Sequence, residues 1–308
     1  MEQSTAFLAA DEPLHGIALR PRLLTLAPLM VLAALGWIYL GLMIGATTDH
    51  GHALGPGFGL LDRFVADGAG RAWIEALCRP AFARSTFQIG TASGPWSVIE
   101  FLLAFVMWSA MIAAMMLPTS APMVLTYAEI AATASAKREP VVSPLLLTAG
   151  YLVIWLAFAM LAAGLQWGLA RLVALDPALT GAGGLFSAAI FLAAGAYQFS
   201  ALKHACLTVC QRPFPYLFGH WSREPKAVFR LGMRQGLYCI GCCWAMMLVM
   251  FAVGVMNVVW MAGLGAVMAA EKTMSTSRLS HVVGVVLLAL GLILVVASAI
   301  EHWPVRTG

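Results

Sequence analysis

Apolar residues in this chain come in long runs separated by short polar stretches, and the runs approach the roughly 20 residues a helix needs to cross a bilayer. The pattern predicts a first span over about Leu23–Ile44 and a second over about Trp96–Leu117, which Pro118 and Pro122 should kink or end. A third span is expected over about 144–170, with Gly164 and Gly168 at GxxxG spacing as a close-packing signal. A fourth is expected over about 184–203 and a last over about 282–300. Residues 236–270 are uncharged, too long for one ordinary span and short for two. They read as two short helices turning near Val255–Asn257, or as a span plus a re-entrant helix.

The expected fold is therefore all-α, a polytopic transmembrane bundle of about seven spans, six if 236–270 crosses only once. Its parts are a tail over 1–22, a first span over 23–46, an extracytoplasmic segment over 47–96, a metal-binding membrane core over 97–273, and a last span with its tail over 274–308. Composition agrees: the chain's 308 residues are 61% hydrophobic and 10% charged, with a mean hydropathy of +0.86, against about 25% charged in a soluble domain. The fairly polar first twenty or so residues, with Asp11, Glu12 and Arg20, argue against a cleavable signal peptide.

Charge distribution sets the expected orientation. With seven spans and the N-terminus inside, Arg20 and Arg22, Lys137 and Arg138, a basic group from Lys203 to Arg234, and Lys272 with Arg278 all fall in the cytoplasm. The charge-balanced 47–96 segment and the C-terminus fall outside. The net charge of +4 thus reports topology, not nucleic-acid binding.

The candidate chemistry is sulfur. Cys239, Cys242, Cys243, Met246 and Met247 lie at i, i+3, i+4, i+7 and i+8, one stripe of a helix. Cys206 and Cys210 share a face at i, i+4 after the fourth span, and Met107, Met111 and Met115, followed by Met116, line the second. In the expected topology these sulfurs and Glu271 meet at one membrane boundary. Thiolates and thioethers are soft ligands, suited to Cu(I), Zn(II) or iron–sulfur centres. A methionine in an apolar helix is ordinarily packing, and a lone buried cysteine such as Cys78 an inert hydrophobe. Two helical cysteine pairs on consecutive spans are poor packing choices. His204, beside Cys206, is a ligand or an interfacial polar residue. His50 and His52 form a weak outer metal site or a solvated loop. Glu271 either stabilises a bound cation or caps a solvated helix end that Lys272 marks as inside.

Three blocks carry a family resemblance: Trp108 with Met115, Met116, Pro118 and Met123; Tyr197 and Gln198 with Lys203, Cys206 and Cys210; and Gly241, Cys242, Cys243 and Trp244 with Met246, Asn257, Glu271 and Lys272. Over about 97–273 the chain resembles the bacterial family of predicted metal-binding integral membrane proteins catalogued as domain of unknown function 2182. The resemblance implies a multi-pass protein of the bacterial inner membrane. Its metal ligands would come from Cys206, Cys210, Cys239, Cys242 and Cys243, with Met115, Met116 and Met246 as soft auxiliaries.

Binding of Cu(I), with its transfer or transport, is the leading expectation, with the lipid bilayer, a small metal-delivery or accessory protein and a second copy of the chain as partners. The alternatives are a thiol–disulfide redox protein, using Cys239 and Cys242 as a CxxC pair, and a structural zinc site in an accessory membrane subunit. The sequence holds no nucleophile elbow, HExxH or nucleotide loop, so no enzyme chemistry is expected.

Overall fold

The computed structural model describes residues 25–40, 98–175, 183–253, 258–274 and 278–301. All regular structure among them is helical: α1 (Thr25–Leu40), α2 (Val98–Ala136), α3 (Pro144–Leu175), α4 (Gly183–Tyr197), α5 (Ala201–Gln211), α6 (Pro213–Gly219), α7 (Pro225–Val253), α8 (Val258–Thr273) and α9 (Arg278–Glu301). The 47–96 segment, both tails, His50, His52, Cys78 and the turn expected at Val255–Asn257 lie outside the described residues.

Among the described residues four helices are long and apolar enough to cross a membrane, or five if the bent pair α4–α5 is one span. The expected count of seven is not reached among the described residues, where α1 is described over Thr25–Leu40 alone and α8 has 16 residues. The apolar run at 236–270 also divides differently from its charge pattern. Helix α7 begins at Pro225 and carries Lys226, Arg230 and Arg234 on its exposed first turns, so the cysteine stripe lies midway along a 29-residue helix instead of at its start.

Neither proline ends α2, which runs through both for 39 residues. Pro118 has no N–H for the carbonyl of Ala114, four residues back. The Trp37 indole donates to that oxygen at 3.1 Å, so α1 supplies the bond the proline withholds. Gly36 makes this approach possible, since a Cβ there would lie 2.8 Å from the Ala110 oxygen.

The expected fourth span is broken. Gln198, Phe199 and Ser200 close α4 in tight turns, each N–H bonding a carbonyl three residues back. Ser200 then caps α5, its side chain accepting from the Lys203 N–H at 3.1 Å. The two axes differ by 64°. Cys206 and Cys210 therefore ride on a separate short arm.

Close packing is also redistributed. Among the described residues nothing lies within 4 Å of where a Cβ would sit on Gly164 or Gly168, so none of them makes the expected GxxxG contact. The working pair is Gly232 and Gly236 on α7: the first lies against the Leu147 backbone, the second against the Tyr151 oxygen and Ile154 of α3. Gly150 answers from α3, against the Phe229 backbone. Small residues four apart let two helix backbones touch, and this contact carries Tyr151 to the cysteine stripe.

Two lysines that the orientation argument counts as loop charges are buried. Lys203 is 0% exposed and Lys272 is 6% exposed. The exposed basic residues from residue 98 onward, among those described, are Lys137, Arg138, Arg212, Arg223, Lys226, Arg230, Arg234 and Arg278. An Arg223–Glu139 ion pair of 2.9 Å ties the α6–α7 connection to the α2–α3 connection.

Candidate metal centre

On α7, Cys239, Cys242 and Cys243 share a buried face, and their sulfur atoms all lie within 4.8 Å of one another. The helix holds two of them directly: the thiols of Cys242 and Cys243 donate to the Cys239 carbonyl at 3.1 and 2.8 Å. Among the described residues this is the one group of three or more Cys, His, Asp or Glu placed to share an ion.

Neighbouring helices add sulfur. Cys210, from the α5 arm, comes within 4.0 Å of Cys242 Sγ. Met116 Sδ, from the proline-bearing stretch of α2, lies 3.9 Å from Cys243 Sγ. Cys206 packs onto α7 at Gly241, where a Cβ would stand 2.5 Å from its sulfur. The Tyr197 hydroxyl, at the end of α4, donates to the Gly241 carbonyl at 2.5 Å and fixes the same joint.

Polar groups converge on Cys239. Its sulfur is 3.1 Å from the Tyr151 hydroxyl and 3.0 Å from Lys272 Nζ. Lys272 Nζ also donates to Thr119 Oγ1 at 2.8 Å. Tyr151 and Thr119 both reach the Met116 carbonyl, at 3.3 and 2.9 Å. This oxygen lies in the segment of α2 that its two prolines thin of backbone donors.

The remaining sequence-derived candidates stand elsewhere. Glu271 places both carboxylate oxygens on Lys203 Nζ, at 2.9 and 2.8 Å, and Lys203 also donates to Gln198 Oε1. His204 stacks on His281 of α9, ring centroids 5.4 Å apart. Met115 faces Gly265 of α8, with its Cγ 3.4 Å from where a Cβ would sit. Met246 and Met247 are buried further along the stripe.

Sequence reasoning missed Lys272, Tyr151 and Thr119. Tyr151 had a usable signal, because a tyrosine inside an apolar helix needs a partner for its hydroxyl. Lys272 did not, since an Asp/Glu–Lys pair at the end of an apolar run ordinarily marks a solvated terminus.

The donor set tests which metal suits the site. Thiols and a thioether surround it, and the one buried carboxylate among the described residues, Glu271, is committed to Lys203. Such a set suits a soft ion and disfavours Mg or Ca. A family model described as PpoB2, copper chaperone, matches residues 105–294. The chain belongs to that family. Every residue of the cluster, from Met116 to Lys272, falls inside the match. Neither a curated protein nor a solved structure matches the chain. The match supports the metal-binding character that the sequence resemblance implies, under the description copper chaperone. Family and cysteine cluster together support copper as the metal this PpoB2-family chain binds.

Proposed function

We propose that this protein is an integral membrane copper chaperone of the bacterial inner membrane, which holds Cu(I) among buried thiolates and hands it to a partner. The observation that carries the reading is the Cys239–Cys242–Cys243 cluster, with Cys210 and Met116 brought to it from two other helices. Cu(I) accepts two or three thiolates readily and exchanges them through shared coordination, so adjacent sulfurs allow transfer without release of the free ion. Cys210 is the less buried of the facing pair and sits on the arm beyond the 64° break. It is the natural point of exchange with an incoming sulfur ligand of a small delivery protein.

Membrane insertion is supported by the outer faces of the helices. On α9 alone Val282, Val285, Val286, Leu292, Ile293, Val296 and Ile300 are exposed, an apolar surface that water would not tolerate at this extent. The basic ends of α2 and α7, tied by Arg223 and Glu139, support a cytoplasmic placement of that side. Arg234 and Cys239 are five residues apart, roughly 7–8 Å of helix rise, so the cluster would lie just inside the cytoplasmic edge of the hydrocarbon. The N-terminus would then be cytoplasmic and the C-terminus extracytoplasmic.

Elemental analysis of protein purified in mild detergent under reducing conditions tests the function, with the Cys239→Ser/Cys242→Ser/Cys243→Ser variant alongside. Near-stoichiometric copper in the wild type and its loss in the variant is the expected result. Zinc in its place would support a structural staple. Absence of metal from both would sink the copper reading and favour thiol redox chemistry through Cys210 and Cys242, whose sulfurs face each other at 4.0 Å.

A further inference from the structure

Two ammonium groups are buried at this end of the bundle, and they are answered differently. Lys203 is neutralised by Glu271 at 2.8 Å. Among the described residues no carboxylate forms a salt bridge with Lys272; its Nζ is held by the Thr119 hydroxyl and by the sulfur of Cys239. The cysteine cluster thus stands where the counter-ion of Lys272 should be.

We propose that Lys272 is the residue that sets the charge preference of the site, favouring a monovalent over a divalent metal ion. This rests on the copper reading above. Metal binding displaces the thiol protons, so three bound cysteines leave a complex with two net negative charges around a monovalent ion and one around a divalent ion. Both complexes start from the same empty site, and the ammonium beside Cys239 favours the more negative one by one further unit of charge. In a buried site, where such charges are weakly screened, that difference is worth on the order of 10²-fold in relative affinity. Lys272 acts through Cys239 as a positioning residue and need not touch the ion. Thr119 fixes it, and the neutral Tyr151 hydroxyl at the same sulfur carries no such preference.

The test measures Cu(I) affinity by competition with bicinchoninate and Zn(II) affinity by competition with 4-(2-pyridylazo)resorcinol, on the full chain in detergent. Lys272→Gln keeps a hydrogen-bond donor and removes the charge; its Cu(I)-to-Zn(II) affinity ratio is expected to fall by about 10²-fold. Lys272→Arg keeps the charge and is expected to hold the ratio within about tenfold of wild type. Thr119→Val, which frees the ammonium without removing it, is expected to lower the ratio by a smaller factor. An unchanged ratio in Lys272→Gln, or equal loss in the Gln and Arg variants, overturns the proposal. If Lys272→Gln does not fold, by helicity and size-exclusion profile, Thr119→Val against Lys272→Arg decides: an unchanged ratio in the former overturns it. Failure of the wild type itself to bind Cu(I) would instead overturn the copper-chaperone reading on which it rests.

Discussion

Replacing Glu271 by Ala separates a structural role for this carboxylate from a ligand role. Its oxygens lie 2.9 and 2.8 Å from Lys203 Nζ, and the two side chains are 2% and 0% exposed. At an effective dielectric of about 20, opposite charges at that distance attract by roughly 6 kcal/mol before desolvation is counted. Desolvation of both ions consumes much of this, but deleting one partner strands the other, at a cost of about 3–5 kcal/mol. Glu271→Ala leaves Lys203 with Gln198 Oε1 alone, so the larger half of that range is expected.

Adding Lys203→Met should recover most of the loss, because no stranded charge is then left at this joint. A residue of about 1–3 kcal/mol should remain. Among the described residues Gln198 Nε2 already has no hydrogen-bond partner, and without Lys203 its Oε1 would have none there either. Reversible unfolding in mixed micelles, titrated with SDS and followed by circular dichroism, measures all three proteins. A single variant costing under about 1 kcal/mol, or a double variant no more stable than the single, would refute the argument. Copper retained by folded Glu271→Ala is the further expectation. Copper lost at intact helicity would make the carboxylate a ligand after all.

Three other outcomes follow from specific contacts. Gly241→Ala drives a methyl group toward Cys206 Sγ and should cost about 1–3 kcal/mol, lowering copper retention as the α5 arm carrying Cys210 shifts; full stability and retention would deny that close packing. Trp37→Phe leaves the Ala114 carbonyl without its donor, an expected loss of about 1–2 kcal/mol by the same SDS titration. Adding Pro118→Ala, which restores a backbone N–H, should shrink that loss. For topology, an impermeant thiol reagent applied to whole cells should spare single-cysteine variants carrying Cys206 or Cys210; rapid labelling from outside would reverse the orientation.

Much of the fold class and the sulfur set was legible because both depend on residue type and spacing. Apolar runs mark helices whatever they pack against, and Cys239, Cys242 and Cys243 must share a face once their segment is helical. What was not legible depends on partners distant in sequence. A charge-based boundary starts α7 near Gly236, but the helix begins at Pro225 because Lys226, Arg230 and Arg234 sit on its exposed side while Val228, Leu231 and Gly232 pack inward. Gly164 and Gly168 have the spacing of a contact pair, yet Gly232 and Gly236 make the contact. Spacing identifies a flat surface, and only the fold says which surface another helix covers. Pro118 and Pro122 signal a helix end correctly for an isolated segment; Trp37 supplies the missing bond from 77 residues away.

The Glu271–Lys272 pair shows most clearly why local charge pattern misleads here. Read along the chain, adjacent opposite charges look like a solvated helix end. On a helix, however, consecutive residues point about 100° apart, so neighbours in sequence serve different faces. Glu271 turns to the broken α4–α5 joint and neutralises Lys203, while Lys272 turns to α2 and α7 and meets Thr119 and Cys239. Counting the buried charges of this region among the described residues gives two ammoniums against one carboxylate, which leaves one positive charge for sulfur to answer. That surplus links the joint carrying Cys206 and Cys210 to the cluster on α7. Glu271 cannot balance both lysines, so the cysteine cluster proposed above as the metal site is also, through the Cys239 sulfur, what makes burial of Lys272 tolerable.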